Sequence, residues 1–86
     1  MWYVYILKSK NTKNWIYVGS TNNLKRRLTE HQTGKSISSK PYLPIILSAY
    51  IAVATESQAR GLEKYLKTGS GKAILKKRIL TDEARD

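Results

Sequence analysis

Two stretches decide the fold: Trp2-Tyr3-Val4-Tyr5-Ile6-Leu7 and Trp15-Ile16-Tyr17-Val18-Gly19. In the first, Trp2, Val4 and Ile6 fall on one face, and Tyr3, Tyr5 and Leu7 on the other. Aromatic and β-branched residues repeating at period two read as a strand. Trp15 to Gly19 is a second, shorter strand of the same kind. The polar run Ser9 to Asn14 between them is turn-like and short, so the natural pairing is a β-hairpin.

After the hairpin, Ser20 to Asn23 offers several helix N-caps. The segment Leu24 to Gln32 is a good helix sequence with Leu24 and Leu28 as its buried stripe. It ends at Thr33-Gly34, where glycine takes the left-handed capping position. Lys35 to Pro44 is polar, holds both prolines and reads as a loop. Ile45 to Val53 is rich in β-branched and aromatic residues and reads as a third strand. Thr55-Glu56-Ser57-Gln58 has capping-box spacing and opens a helix to about Lys67, with Ala59, Leu62 and Leu66 as its core stripe. Thr68 to Gly71 breaks that helix, and a last basic helix is expected from about Lys72 to Leu80. The order ββαβαα gives an α+β fold, a small three-stranded antiparallel sheet flanked by helices. Residues 1–80 make one domain, and 81–86 a polar tail.

Composition narrows the chemistry. The chain has 86 residues, 41% of them hydrophobic, enough for one modest core. It contains no cysteine and one histidine, His31, which excludes disulfides, thiolate metal sites and multi-histidine zinc sites. A metal here is held by carboxylate oxygen and water, as hard cations are. Lys and Arg number 16 against 6 Asp and Glu, a formal charge of +10. Such an excess on a small surface points to a polyanionic partner, with solubility as the plainer alternative. The apolar N-terminus meets Lys8 too early for a signal-peptide core, and Tyr42 to Ala54 is too short to span a bilayer, so a cytoplasmic protein is expected. An anionic-membrane binder is a poor fit, because no helix has a large apolar face opposite its charges.

The residues that carry chemistry form an ordered set. Tyr3-Val4-Tyr5 lies on the first strand and Tyr17-Val18-Gly19 on the second. Arg27 follows Tyr17 by ten residues within Asn23-Leu24-Lys25-Arg26-Arg27-Leu28-Thr29-Glu30-His31, and Glu63 precedes Lys67 by four. In this order and spacing the chain resembles the GIY-YIG nuclease superfamily from Trp2 to about Leu80. The resemblance is strongest to its small stand-alone bacterial members, which carry a stretch like Leu66 to Gly71. Tyr3 stands where the family name has glycine, and Val18 replaces its isoleucine. Ser20 occupies the place after the glycine where some members have a lysine, so no lysine role is carried over.

What the resemblance implies is a metal-dependent endonuclease acting on DNA, with structured or branched DNA as one substrate class. Tyr5 or Tyr17 would handle the proton of the attacking water, and a tyrosine with a free pKa near 10 needs help to do so near neutrality. Arg27 and His31, one helical turn apart, share a face. Arg27 would brace phosphate oxygens through a forked contact, and His31 would assist a tyrosine or hold the phosphate. Glu63 would bind one Mg²⁺ or Mn²⁺. These residues are expected as one active site on one face of the sheet. Lys25, Arg26, Lys64, Lys67, Lys72, Lys76, Lys77 and Arg78 are the expected backbone-binding residues. Each residue also has a plainer reading. The tyrosines suit any strand, Arg26 is as good as Arg27 by position alone, His31 suits a helix end, Glu63 suits an i,i+4 pair with Lys67, and Glu56 is first-turn charge. The rival function is a nucleic-acid-binding module of the same fold without turnover. Specificity is expected from DNA shape, a protein partner or a homodimer.

Overall fold

The computed structural model describes residues 1–80. Strands β1 (Trp2–Ser9), β2 (Ile16–Thr21) and β3 (Ile45–Val53) form one antiparallel sheet in the order β2-β1-β3. Helix α1 (Leu24–Gln32) follows the hairpin, and helices α2 (Glu56–Leu66) and α3 (Gly69–Ile74) follow β3. The fold is the α+β arrangement of a small three-stranded sheet with helices that the pattern predicts. The polar tail lies outside the described residues.

β1 is central, and its burial explains why it is apolar at nearly every position. Val4 and Ile6 pack with Val18 against Ala59, Leu66, Leu75 and Leu80. On the opposite face Tyr5 and Leu7 pack with Ile45 and with half-buried Leu24, Leu28, Tyr42 and Leu43. The sheet therefore lies between α2 and α3 on one side and α1 with its following loop on the other. Leu62 is only half-buried, so the core stripe of α2 rests on Ala59 and Leu66.

Local signals set the helix ends. The Asn23 side chain accepts from the Arg26 N–H to start α1, and Gly34 follows its end at φ 81. Thr55 and Gln58 make both halves of a capping box for α2. Two expectations are corrected. The run Thr68 to Gly71 is not a break but the cap and first turn of α3, because the Thr68 side chain accepts from the Gly71 N–H. Gly71 packs hard against the end of α2, where an added Cβ would sit 2.0 Å from the Tyr65 carbonyl oxygen. The last helix thus begins three residues before Lys72, and it continues past Ile74 as a π-turn over Leu75–Ile79. Within the segment read as loop, Lys40–Tyr42 forms a 3-10 turn that begins after Ser39 and carries Pro41 near its start.

Candidate active site

Tyr5 lies opposite Gly19 in the β1–β2 ladder. A Cβ on residue 19 would stand 2.4 Å from the Tyr5 Oη and 3.0 Å from Cε1 of Tyr17. The glycine is therefore what lets the Tyr5 ring cross β2 toward its outer edge. The rings of Tyr5 and Tyr17 are stacked with centroids 6.2 Å apart. His31, projecting from the last turn of α1, lies 5.0 Å from the Tyr17 centroid and puts Nε2 3.1 Å from the Tyr5 Oη. Its Nδ1 lies 2.7 Å from the Oγ of Ser39, and both residues are fully buried.

Arg27, one turn earlier on α1, is half-buried and donates from Nη1 to Oε1 of Glu30 at 2.8 Å. Arg26 donates to the same carboxylate but is largely exposed. Position alone did not separate the two arginines; the fold does, because it is Arg27 that is half-buried and whose charge acts on the Tyr5 phenol. Burial pushes the Tyr5 phenol up to about 12, against the opposing pull of the Arg27 guanidinium. Glu30 raises the Arg27 pKa further, and Arg27 in turn holds Glu30 below the usual carboxylate range. Burial first, and then the Arg27 charge, lowers the His31 pKa, so the imidazole is neutral at pH 7.

Glu63 comes from the other side of the sheet. It lies on α2, and its Oε1 accepts from the Ser20 hydroxyl at 2.6 Å while Oε2 accepts from the Lys67 ammonium at 2.9 Å. Burial raises its pKa, but these two donors outweigh it and hold the carboxyl below its ordinary value. Ser20 alternates with Tyr17 and Gly19 along β2, so its side chain shares the Val18 face. The expectation of a site on one face of the sheet is therefore corrected. Tyr5, Tyr17, Arg27 and His31 approach from the α1 face, and Glu63 from the α2 face, where it bonds Ser20 on the edge strand β2. Glu63 is close enough to raise the Tyr5 pKa by its charge.

Of the basic residues singled out by sequence, Lys67, Lys72 and Lys76 line a cleft beside Tyr17 and Val18. That cleft adjoins a second one lined by Lys8, Lys10, Lys13, Trp15 and Lys76. Lys25 and Arg26 instead flank a shallow depression on α1, away from this cleft. Lys64, Lys77 and Arg78 are exposed and line neither cleft. Sequence reasoning did not find Ser20, Glu30 or Ser39 as partners of Glu63, Arg27 and His31. Ser20 carried one signal, its place directly after the tyrosine tripeptide, while Ser39 carried none.

Among the described residues no three His, Cys, Asp or Glu side chains gather into a metal cluster. No helix there is long and apolar enough to cross a membrane.

The chain is 35% identical over 75 residues to a UPF0213 protein of Staphylococcus haemolyticus, covering 86% of this chain and 89% of that protein. It is 34% identical over 67 residues to a UPF0213 protein of Vibrio campbellii, covering 77% of this chain and 62% of the relative. A UPF0213 protein of Photorhabdus laumondii is 35% identical over 69 residues with the same coverages. The chain thus matches less than two thirds of the length of the Vibrio and Photorhabdus relatives. No solved structure is significantly similar to it. The GIY-YIG catalytic domain matches residues 1–78, nearly the whole chain, and so the chain belongs to the GIY-YIG family of nuclease-type domains.

Proposed function

We propose that this domain is an endonuclease that hydrolyses phosphodiester bonds in DNA with the help of one Mg²⁺ or Mn²⁺. The observation that carries the reading is the packing of Tyr5, Tyr17 and His31 beside Gly19, with Arg27 one turn before His31 on α1 and Glu63 bonded to Ser20, the next residue of β2. Hydrolysis needs an activated water, neutralised charge on the phosphorane-like transition state and a stabilised leaving oxygen. Arg27 has five N–H donors and, among the described residues, gives one to Glu30, which leaves others to bind phosphate oxygens. Glu30 holds the guanidinium in place before substrate arrives, which favours the transition state over loose binding. In this reading the tyrosine hydroxyls serve the attacking water and the phosphate. The clefts lined by lysines supply the phosphate-binding face.

The donor set fits a hard cation. Glu63 is a lone carboxylate with a serine hydroxyl beside it, and such a site holds a metal that keeps most of its waters and completes its shell with substrate. A cation bound there supplies Lewis-acid stabilisation of the phosphate and of the leaving oxygen. Glu63, oriented by Ser20, would hold it.

The test is direct. Purified protein with Mg²⁺ or Mn²⁺ is offered single-stranded, duplex, nicked, flapped and branched DNA, beside Glu63→Ala. Cleavage by the wild type, lost in the variant, is expected. Tight binding without cleavage by the wild type under any condition would replace the enzyme reading with that of a binding module.

A further inference from the structure

Ser39, His31 and Tyr5 form a hydrogen-bonded chain that runs from the sealed interior to the site. His31 engages both ring nitrogens, Nδ1 with Ser39 Oγ at 2.7 Å and Nε2 with Tyr5 Oη at 3.1 Å. Ser39 and His31 are 0% exposed and Tyr5 2%. The loop is built to hold Ser39 there. Its backbone N–H donates to the Ser36 carbonyl, and it starts the 3-10 turn whose Tyr42 stacks on Trp15 with centroids 4.5 Å apart.

A neutral imidazole has one donor and one acceptor, so this chain has two possible proton arrangements. In one, Nδ1–H donates to Ser39 and Nε2 accepts from the Tyr5 hydroxyl. The Ser39 hydrogen is then left over in a fully buried place, because among the described residues Ser39 Oγ has no partner besides His31. Such a stranded donor costs about 1–3 kcal/mol. In the other, Ser39 O–H donates to Nδ1, and Nε2–H donates to Tyr5 Oη. The hydrogen left over is then that of Tyr5, whose hydroxyl lies above Gly19 on the edge strand β2 rather than in the sealed interior.

We propose that Ser39 is a positioning residue that fixes His31 as the Nε2–H tautomer, so that His31 donates to Tyr5 and the Tyr5 O–H points at the scissile phosphate. Only the last clause rests on the nuclease reading. In this arrangement His31 is not the base that removes the Tyr5 proton. Tyr5 works as a neutral phenol, a hydrogen-bond donor to phosphate, consistent with the burial that resists its ionisation. Tyr17, at the wall of the lysine-lined cleft, is left as the tyrosine free to handle the proton of the water.

Because His31 is the only histidine in the chain, its tautomer can be read without interference. The experiment is a long-range ¹H–¹⁵N correlation spectrum of protein labelled with ¹⁵N-histidine, near pH 7. The expected result is a protonated Nε2 and an unprotonated Nδ1. Ser39→Ala, shown to be folded by circular dichroism, is expected to give a mixture of tautomers. A protonated Nδ1 in the wild type overturns the proposal, and so does an unchanged tautomer in folded Ser39→Ala. Should that variant not fold, the wild-type spectrum alone decides. The spectrum needs no turnover, so an inactive wild type would count against the nuclease reading and leave the tautomer assignment standing. With a cleaving protein, Ser39→Ala is expected to lose kcat at unchanged KM, and a change confined to KM would overturn the assignment of Tyr5 to the transition state.

Discussion

The Tyr5 hydroxyl occupies the space a side chain at Gly19 would need: a Cβ there would lie 2.4 Å from its oxygen and 2.6 Å from Cζ. The neighbour that would have to move is a buried ring hydrogen-bonded to His31 and stacked on Tyr17. Gly19→Ala is therefore expected to cost about 1–3 kcal/mol, as overpacking does. It should also lower cleavage, by about as much as loss of the Tyr5 hydroxyl itself, because it moves that hydroxyl off its position. Thermal unfolding and a cleavage assay check both effects; a stable and fully active variant would show that the tyrosine's position is not critical.

Removing a tyrosine hydroxyl separates the two tyrosines. Tyr5→Phe and Tyr17→Phe keep their rings and their packing. The one that handles the water's proton should lose on the order of 10²-fold or more in kcat with little change in DNA affinity. That loss is expected at Tyr17, with a smaller one at Tyr5, whose hydroxyl is a hydrogen-bond donor to phosphate. Arg27→Ala should likewise reduce turnover far more than affinity, since one phosphate contact among several sets binding but the transition state needs that one.

Lys67 holds the Glu63 oxygen that a cation would need. Lys67→Ala should therefore tighten Mn²⁺ binding to the DNA-free protein, on the order of fivefold for relief of one nearby positive charge. Glu63→Gln should abolish that binding while shifting stability by less than about 1 kcal/mol, because the pair it breaks is partly exposed. Calorimetric titration with Mn²⁺ measures both. Weaker binding in Lys67→Ala would place the cation elsewhere.

Two buried groups contribute to the response to pH, in opposite directions. The folded state keeps the Tyr5 phenol neutral up to about 12 against an ordinary 10.0, so its contribution is full below pH 10 and is lost as pH rises from 10 to about 12. The fold keeps His31 neutral below its ordinary 6.5, so its contribution is full above that value and is lost as pH falls through the lower folded pKa. Thermal midpoints of the wild type should fall at both ends. Tyr5→Phe should flatten the alkaline limb, and His31→Gln the limb below about pH 6.5. Parallel curves for wild type and variant would remove that residue from the account.

Lys72 and Lys76 line the cleft beside Tyr17, whereas Lys25 lies beside a depression on α1. Replacing Lys72 and Lys76 by alanine should lower the salt slope of DNA binding by about 1 per lost phosphate contact. Lys25→Ala should change it less. The reverse ranking, read from affinities at several salt concentrations, would move the nucleic-acid track to α1.

Much of this protein was written in short-range pattern. Period-two aromatics gave β1 and β2, the capping box at Thr55 and Gln58 gave the start of α2, and Gly34 gave the end of α1, because strand faces, caps and left-handed turns depend on neighbours a few residues away. Spacing on α1 also placed Arg27 and His31 on one face. The start of α3 was missed because its Thr-Gly-Ser-Gly run looks like a breaker. Only the packing of Gly71 against the Tyr65 carbonyl shows why glycine is there.

The site itself was decided by tertiary structure. Sequence named Tyr5, Tyr17, Arg27, His31 and Glu63, but not that they approach the edge of β2 from opposite faces of the sheet. Nor did it reveal that Glu63 meets Ser20 across 43 residues, or that His31 bridges Tyr5 and Ser39. Local periodicity tells which way a side chain points from its own strand or helix. Which distant residue it then meets depends on the strand order β2-β1-β3 and on the side of the sheet each helix covers, and both are set by burying one shared core.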